Sequence, residues 1–242
     1  MPPHRDVSLA SVCFVDVAQT PASHLPLHFE SLNLYGQTAK LLKGRMIADV
    51  IGGVDSLTMC IMDWQDYHLW RALSEPGKGV VHLELEVLWT LSKEERDVLC
   101  YSDKAWNTGM KLQELTLCSS RGYAKHSGRT ADGCWASHLL LTIQTQELAL
   151  ITLRVFPADD PGIWDRFDWA AVDDAVTSKD RFPALEELVI DMVLPRARIA
   201  ESSLYEERVN RLLPKALKQN LLIIEGREDD WPAIEDPSAM QL

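Results

Sequence analysis

A short apolar pattern, with residues at i, i+3 and i+5, recurs along the chain and limits its fold more than any other feature. It occurs at Leu9-Val12-Phe14, Phe29-Leu32-Leu34, Val54-Leu57-Met59, Val80-Leu83-Leu85, Leu112-Leu115-Leu117, Leu150-Leu153-Val155 and Leu185-Leu188-Ile190. A last apolar run, Leu221 to Ile224, closes the series. Residues i+3 and i+5 alternate as they do on one face of a β-strand. Between middle residues the steps are 20, 25, 26, 32, 38, 35 and 33. A step of that size leaves room for a turn, a helix and a return before the next strand.

Helical signals fill several of these intervals. Leu42, Met46 and Val50 fall at i, i+4 and i+8, and Leu69, Trp70 and Leu73 make a shorter stripe. Ser92 with Glu95, and Ser203 with Glu206, have the spacing of capping boxes. Trp169, Val172 and Val176 form another face, with Asp165 and Asp168 placed where a helix N-terminus favours acids. Pro214 predicts a kink or an end to the last long helix.

Strands joined by helical crossovers lie parallel. One strand–helix unit cannot bury its apolar face alone, so neighbours stack and share a core. The expected fold is therefore α/β: an irregular leucine-rich-repeat-like solenoid, with a curved parallel sheet and outer helices. The repeats span residues 1–225. Residues 226–242 are acidic, carry Pro and lack apolar periodicity, and they read as a disordered tail.

Composition narrows the range of partners. The formal charge is −12 and the acids are spread along the chain. That excludes the basic stripe expected of a nucleic-acid binder and argues against an anionic membrane surface. No apolar run approaches the roughly 20 residues that cross a bilayer. The five cysteines are widely spaced with no C-x-x-C pair, which is no disulfide framework and points to a reducing, intracellular compartment, cytoplasmic or nuclear.

The candidate chemical motifs are weak. Gly122 and Gly128 are followed by Arg129 and Thr130, but a phosphate loop needs one residue fewer between its glycines and a lysine. Cys118, His126, Cys134 and His138 hold only one close pair, so neither zinc nor any other metal or cofactor is expected. Asp159, Asp160, Asp165, Asp168, Asp173 and Asp174 read as a solvated helix surface. No G-x-S-x-G elbow is present, and no catalytic residue is assigned. The candidate interaction residues are those alternating with the apolar strand positions, on the expected concave face: Tyr35, Glu84, Glu86, Thr116, Arg154 and Asp191. The function expected from them is recognition of another protein. The alternative is a small α/β enzyme whose site assembles from scattered His, Cys and acidic residues.

The segment from Trp164 to Asp174, followed by Phe182-Pro183-Ala184-Leu185 and the strand through Ile190, resembles the last repeats of F-box/leucine-rich-repeat-like proteins of mushroom-forming fungi. Leu212-Leu213-Pro214 and Leu221-Leu222-Ile223-Ile224 resemble that family's end. The similarity covers roughly the last 70 residues and rests on residues of structural type. It implies a substrate-recognition repeat region of a ubiquitin-ligase receptor. Residues 1–30 read as a strand and a Pro-broken loop, not as the F-box module that would bind a Skp-type adaptor. An uncapped strand at Leu9–Phe14 would then self-associate through its open edge.

Overall fold

The computed structural model describes residues 29–34, 54–61, 80–87, 111–118, 136, 139–141, 143, 145–157 and 163–228. Seven strands form one sheet: β1 (Phe29–Leu34), β2 (Val54–Ile61), β3 (His82–Val87), β4 (Glu114–Cys118), β5 (Leu150–Val155), β6 (Glu187–Leu194) and β7 (Leu222–Glu228). Each strand pairs in parallel with the next, so spatial order equals chain order. The expected strand at Leu9–Phe14 and the helical stretches around residues 42–50, 69–73 and 92–99 lie outside the described residues.

Register stacks the apolar positions into rows. One row runs Leu32, Leu57, Leu83, Leu115, Ile151, Leu188 and Leu222; the next runs Leu34, Met59, Leu85, Leu117, Leu153, Ile190 and Ile224. From Leu57 to Ile190 the side chains of both rows are buried in one continuous core. Each buried Leu or Ile contributes roughly 1.5–3 kcal/mol of transfer free energy, which makes these rows the main adhesive of the sheet.

The i, i+3, i+5 pattern is correct for β1 to β4 and β6, but it is out of phase at β5. The residues equivalent to Leu112-Leu115-Leu117 are Leu148-Ile151-Leu153, all buried, whereas Leu150 is half-buried on the opposite face. Apolar residues continue through Leu148, Leu150, Ile151, Leu153 and Val155, so hydrophobicity alone allowed the pattern to be set two residues too late. The in-register steps become 25, 26, 32, 36, 37 and 34.

A backbone motif recurs at the strand entries. The Val81 carbonyl accepts from the amides of Gln113 (2.9 Å) and Glu114 (3.1 Å). The Gln113 carbonyl accepts from Ala149 and Leu150 at the same two distances, and the Ala149 carbonyl from Glu186 and Glu187 likewise. Three successive strand-to-strand steps thus share one local geometry despite intervals of different length.

Residues 136 and 139–141, ahead of β5, are helical, and further helices follow β5 and β6: α1 (Ile163–Arg166), α2 (Trp169–Val176), a 3-10 helix (Arg196–Glu201), α3 (Ser202–Leu212) and α4 (Pro214–Lys218). Trp169, Val172 and Val176 of α2, Val209 of α3 and Ala216 of α4 join the core of the apolar rows. Trp169 stacks on Trp164 and Phe167, and its Nε1 donates to the Trp164 carbonyl at 3.1 Å. Asp168 caps α2 by accepting from the Ala171 amide at 3.0 Å. Pro214 takes the first turn of α4, where its missing N–H costs nothing.

Three local expectations are corrected. The Ser203–Glu206 capping box does not form, because the 3-10 helix leads directly into α3 and Ser203 lies inside it. Asp173 is not a solvated acid but is buried, and its carboxylate accepts from the amides of Lys215 (3.0 Å) and Ala216 (2.9 Å). It therefore caps α4 from the neighbouring helix, supplying the partners that a helix N-terminus lacks. Finally, β7 continues through Gly226 to Glu228, three residues into the segment read as tail.

Candidate functional site

The face of the sheet opposite the core is polar. One row carries Thr58, Glu84, Thr116, Thr152, Val189 and Ile223, and the next carries Glu86, Cys118, Arg154, Asp191 and Glu225. Strand alternation forces this arrangement: the same register that stacks leucines on one side must stack the intervening residues on the other. Glu84, Glu86, Thr116, Arg154 and Asp191 all fall on this face, as their spacing predicted. Tyr35 lies outside the described residues.

Arg154 is the centre of a network that crosses five neighbouring strands. Its Nε donates to Asp191 Oδ2 at 2.8 Å, and its Nη1 donates to Glu84 Oε1 and toward Cys118 Sγ at 3.6 Å. The Cys118 thiol donates to the same Glu84 oxygen at 3.2 Å. From β7, Arg227 Nε approaches Asp191 Oδ1 to 2.9 Å. That approach lies off the N–H direction, so Oδ1 gains a charge partner but no directed hydrogen bond. Along the lower rim, His82 Nδ1 lies 2.8 Å from Glu114 Oε2.

Burial shapes the chemistry of the network. The Asp191 side chain is only 7% exposed, which holds two guanidinium groups against one nearly dry carboxylate. Burial opposes the charge of Arg154, but the hydrogen bond to Asp191, with Cys118 and Glu84 beside it, outweighs that and holds its proton more tightly than usual. Burial first, and the Glu84 charge second, push the Cys118 thiol far above the ordinary thiol range. A thiol kept protonated is a weak nucleophile and a poor metal ligand. Among the described residues, no group of three His, Cys, Asp or Glu is placed to hold a metal ion. His126, Cys134 and His138, the other members of the weak zinc motif, lie outside the described residues.

No family model, curated protein or solved structure matches the chain.

Two members of the network were not among the candidate interaction residues read from the sequence, where Cys118 figured only in the weak zinc motif. Cys118 reads as a core residue from its apolar character, and it is buried, yet it occupies the polar row beside Arg154. Arg227 falls in the stretch read as tail; extending the strand alternation past Ile224 would have placed it on this face. The rest of the face is strongly acidic, with Glu114, Glu187 and Glu225 exposed. Among the described residues, no helix is long and apolar enough to cross a membrane.

Proposed function

We propose that this chain is a non-enzymatic protein-interaction domain, a leucine-rich-repeat-like solenoid whose polar sheet face is the recognition surface. The observation that carries this reading is the Arg154 network lying across β3 to β7 on the face opposite the core. Side chains held by one another on a rigid sheet lose little freedom on binding, so they favour recognition of a surface over turnover of a substrate. The repeated strand-entry hydrogen bonds support the repeat architecture. Trp164, Trp169, Phe182, Leu185 and Leu188, which carry the resemblance to the fungal F-box/leucine-rich-repeat-like group, are all core residues. They favour the architecture of a substrate-recognition region and are neutral about what it recognises.

The face holds Arg154 and Arg227 already paired with Glu84 and Asp191, which leaves Glu187 and Glu225 to dominate its outward charge. The partner is therefore a protein with a basic surface, attracted by charge and fitted over the threonines between the charged rows.

The test is capture of a partner from extract of the source cells, followed by calorimetry with both proteins purified. Thr116→Arg with Glu187→Lys should weaken binding at least about tenfold, since like-charge contacts across an interface are costly. Asp174→Lys, on the outer helical side, should leave affinity unchanged. Equal affinity for the face variant and the parent chain would refute the reading.

A further inference from the structure

Among the described residues, the sheet ends with an open strand. β7 pairs with β6 on one side, is the last strand in the order, and residues 225–228 are all exposed. The Leu188 amide donates to the Leu221 carbonyl, and this sets the phase of the ladder. Odd-numbered residues of β7 direct their backbone groups at β6, so Leu222, Ile224, Gly226 and Glu228 direct theirs outward. A row of unpaired N–H and C=O groups is a template for another strand.

We propose that a second copy of this chain occupies that edge, the two β7 strands running antiparallel about a two-fold axis at Gly226. A two-fold contact must match a surface to itself, and β7 does so in this register. Glu225 of one copy faces the partner's Arg227, and the reverse pair forms on the other side of the axis. Moving the axis to Glu225 would oppose two carboxylates, and moving it to Arg227 would oppose two guanidinium groups, both of which are destabilising. Gly226 opposite Gly226 leaves the axis itself free of side chains.

The apolar exposure near this edge agrees with a covered surface. Ile223 on β7 is 36% exposed. Ser202 has its Cβ 3.1 Å from where a Cβ on Gly226 would be, so the start of α3 sits over the core side of β7 beside the axis position. In the dimer the two α3 helices flank the axis on the core side. The two sheets join into one, with both polar faces on the same side. Glu225 and Arg227 also border the recognition face proposed above, so the test of this contact reads the oligomeric state of the chain alone, with no partner present.

The experiment uses the full chain in sedimentation velocity over a wide range of concentration. The parent chain is expected to show a reversible dimer. Glu225→Arg and Arg227→Glu, tested singly, should each raise the dimer dissociation constant at least about tenfold, because every cross-strand pair becomes a like-charge pair. An equimolar mixture of the two variants should restore a dimer, because every cross-strand pair then joins opposite charges. Thermal melts establish that each variant is folded, and Arg227→Gln, expected to weaken the dimer a few-fold, replaces Arg227→Glu if that chain does not fold. A parent chain that stays monomeric, single variants that dimerise like the parent, or a mixture that remains monomeric would each overturn the proposal.

Discussion

Arg154 Nε meets Asp191 Oδ2 at 2.8 Å across the β5–β6 ladder, and Asp191 is the more deeply buried partner of the two. The asymmetry sets the cost of removing either one. Without Asp191, Arg154 and Arg227 are left facing each other at the edge of a dry site. Asp191→Ala should lower unfolding free energy by about 2–3 kcal/mol in urea denaturation, the range for losing charged hydrogen bonds in a partly buried pair. Glu187→Ala, exposed on the same strand, should stay within about 0.5 kcal/mol. Equal effects would mean that Asp191 is not the anchor of the network.

Asp173 offers a second contrast. Its carboxylate caps α4 from α2, whereas its neighbour Asp174 is exposed and pairs with Lys215 at the surface. Asp173→Ala should cost about 1–2 kcal/mol, as for other lost helix caps, and Asp174→Ala a few tenths. The two variants differ by one sequence position and retain similar composition, so a difference in melting temperature isolates the cap.

The state of Cys118 is readable by alkylation. A thiol whose proton is held by burial and by Glu84 reacts slowly. With iodoacetamide at mildly alkaline pH, the peptide containing Cys118 should label at least about tenfold more slowly in the folded chain than in urea. Glu84→Gln removes the neighbouring charge and should lower the thiol's proton affinity, moving the onset of labelling to lower pH. Rapid native labelling of Cys118 would show that the row is open to solvent.

The phase of β5 can be tested directly. Leu148→Ala should cost about 2–5 kcal/mol, because its side chain is fully buried, while Leu150→Ala should cost about 1 kcal/mol or less. The reverse order would restore the assignment suggested by hydrophobicity alone.

That strand shows how much of the molecule was legible beforehand. Period-two alternation is a property of sequence, so β1 to β4 and β6, and the side of the sheet taken by Glu84, Glu86, Thr116, Arg154 and Asp191, could be read directly. Where apolar residues occur on both phases, as at Leu148 to Val155, only register with the neighbours decides. Contacts between elements were not legible. Nothing local marks Asp173 as the cap of a helix 41 residues downstream, since Asp at that position suits a solvated helix equally well. Cys118 alternates with Leu115 and Leu117 and so belongs by period two to the polar face, but its apolar character and its place at the strand's end hide that. Arg227 was hidden for a simpler reason: Gly226 and the charges after it resemble a strand's end, and β6 holds the backbone straight through them.

The paired amides on the Val81, Gln113 and Ala149 carbonyls have a consequence for how such a chain can change over generations. They fix where three successive units enter the sheet, ahead of the strand pairing itself. Nothing in that joint measures the length of the segment in between, and the three steps it spans are 32, 36 and 37 residues without disturbing the register. Insertions and deletions between strands can therefore accumulate while the spacing of side chains on the polar face stays constant. The segments between strands are free to drift, and the ruler on the polar face is not.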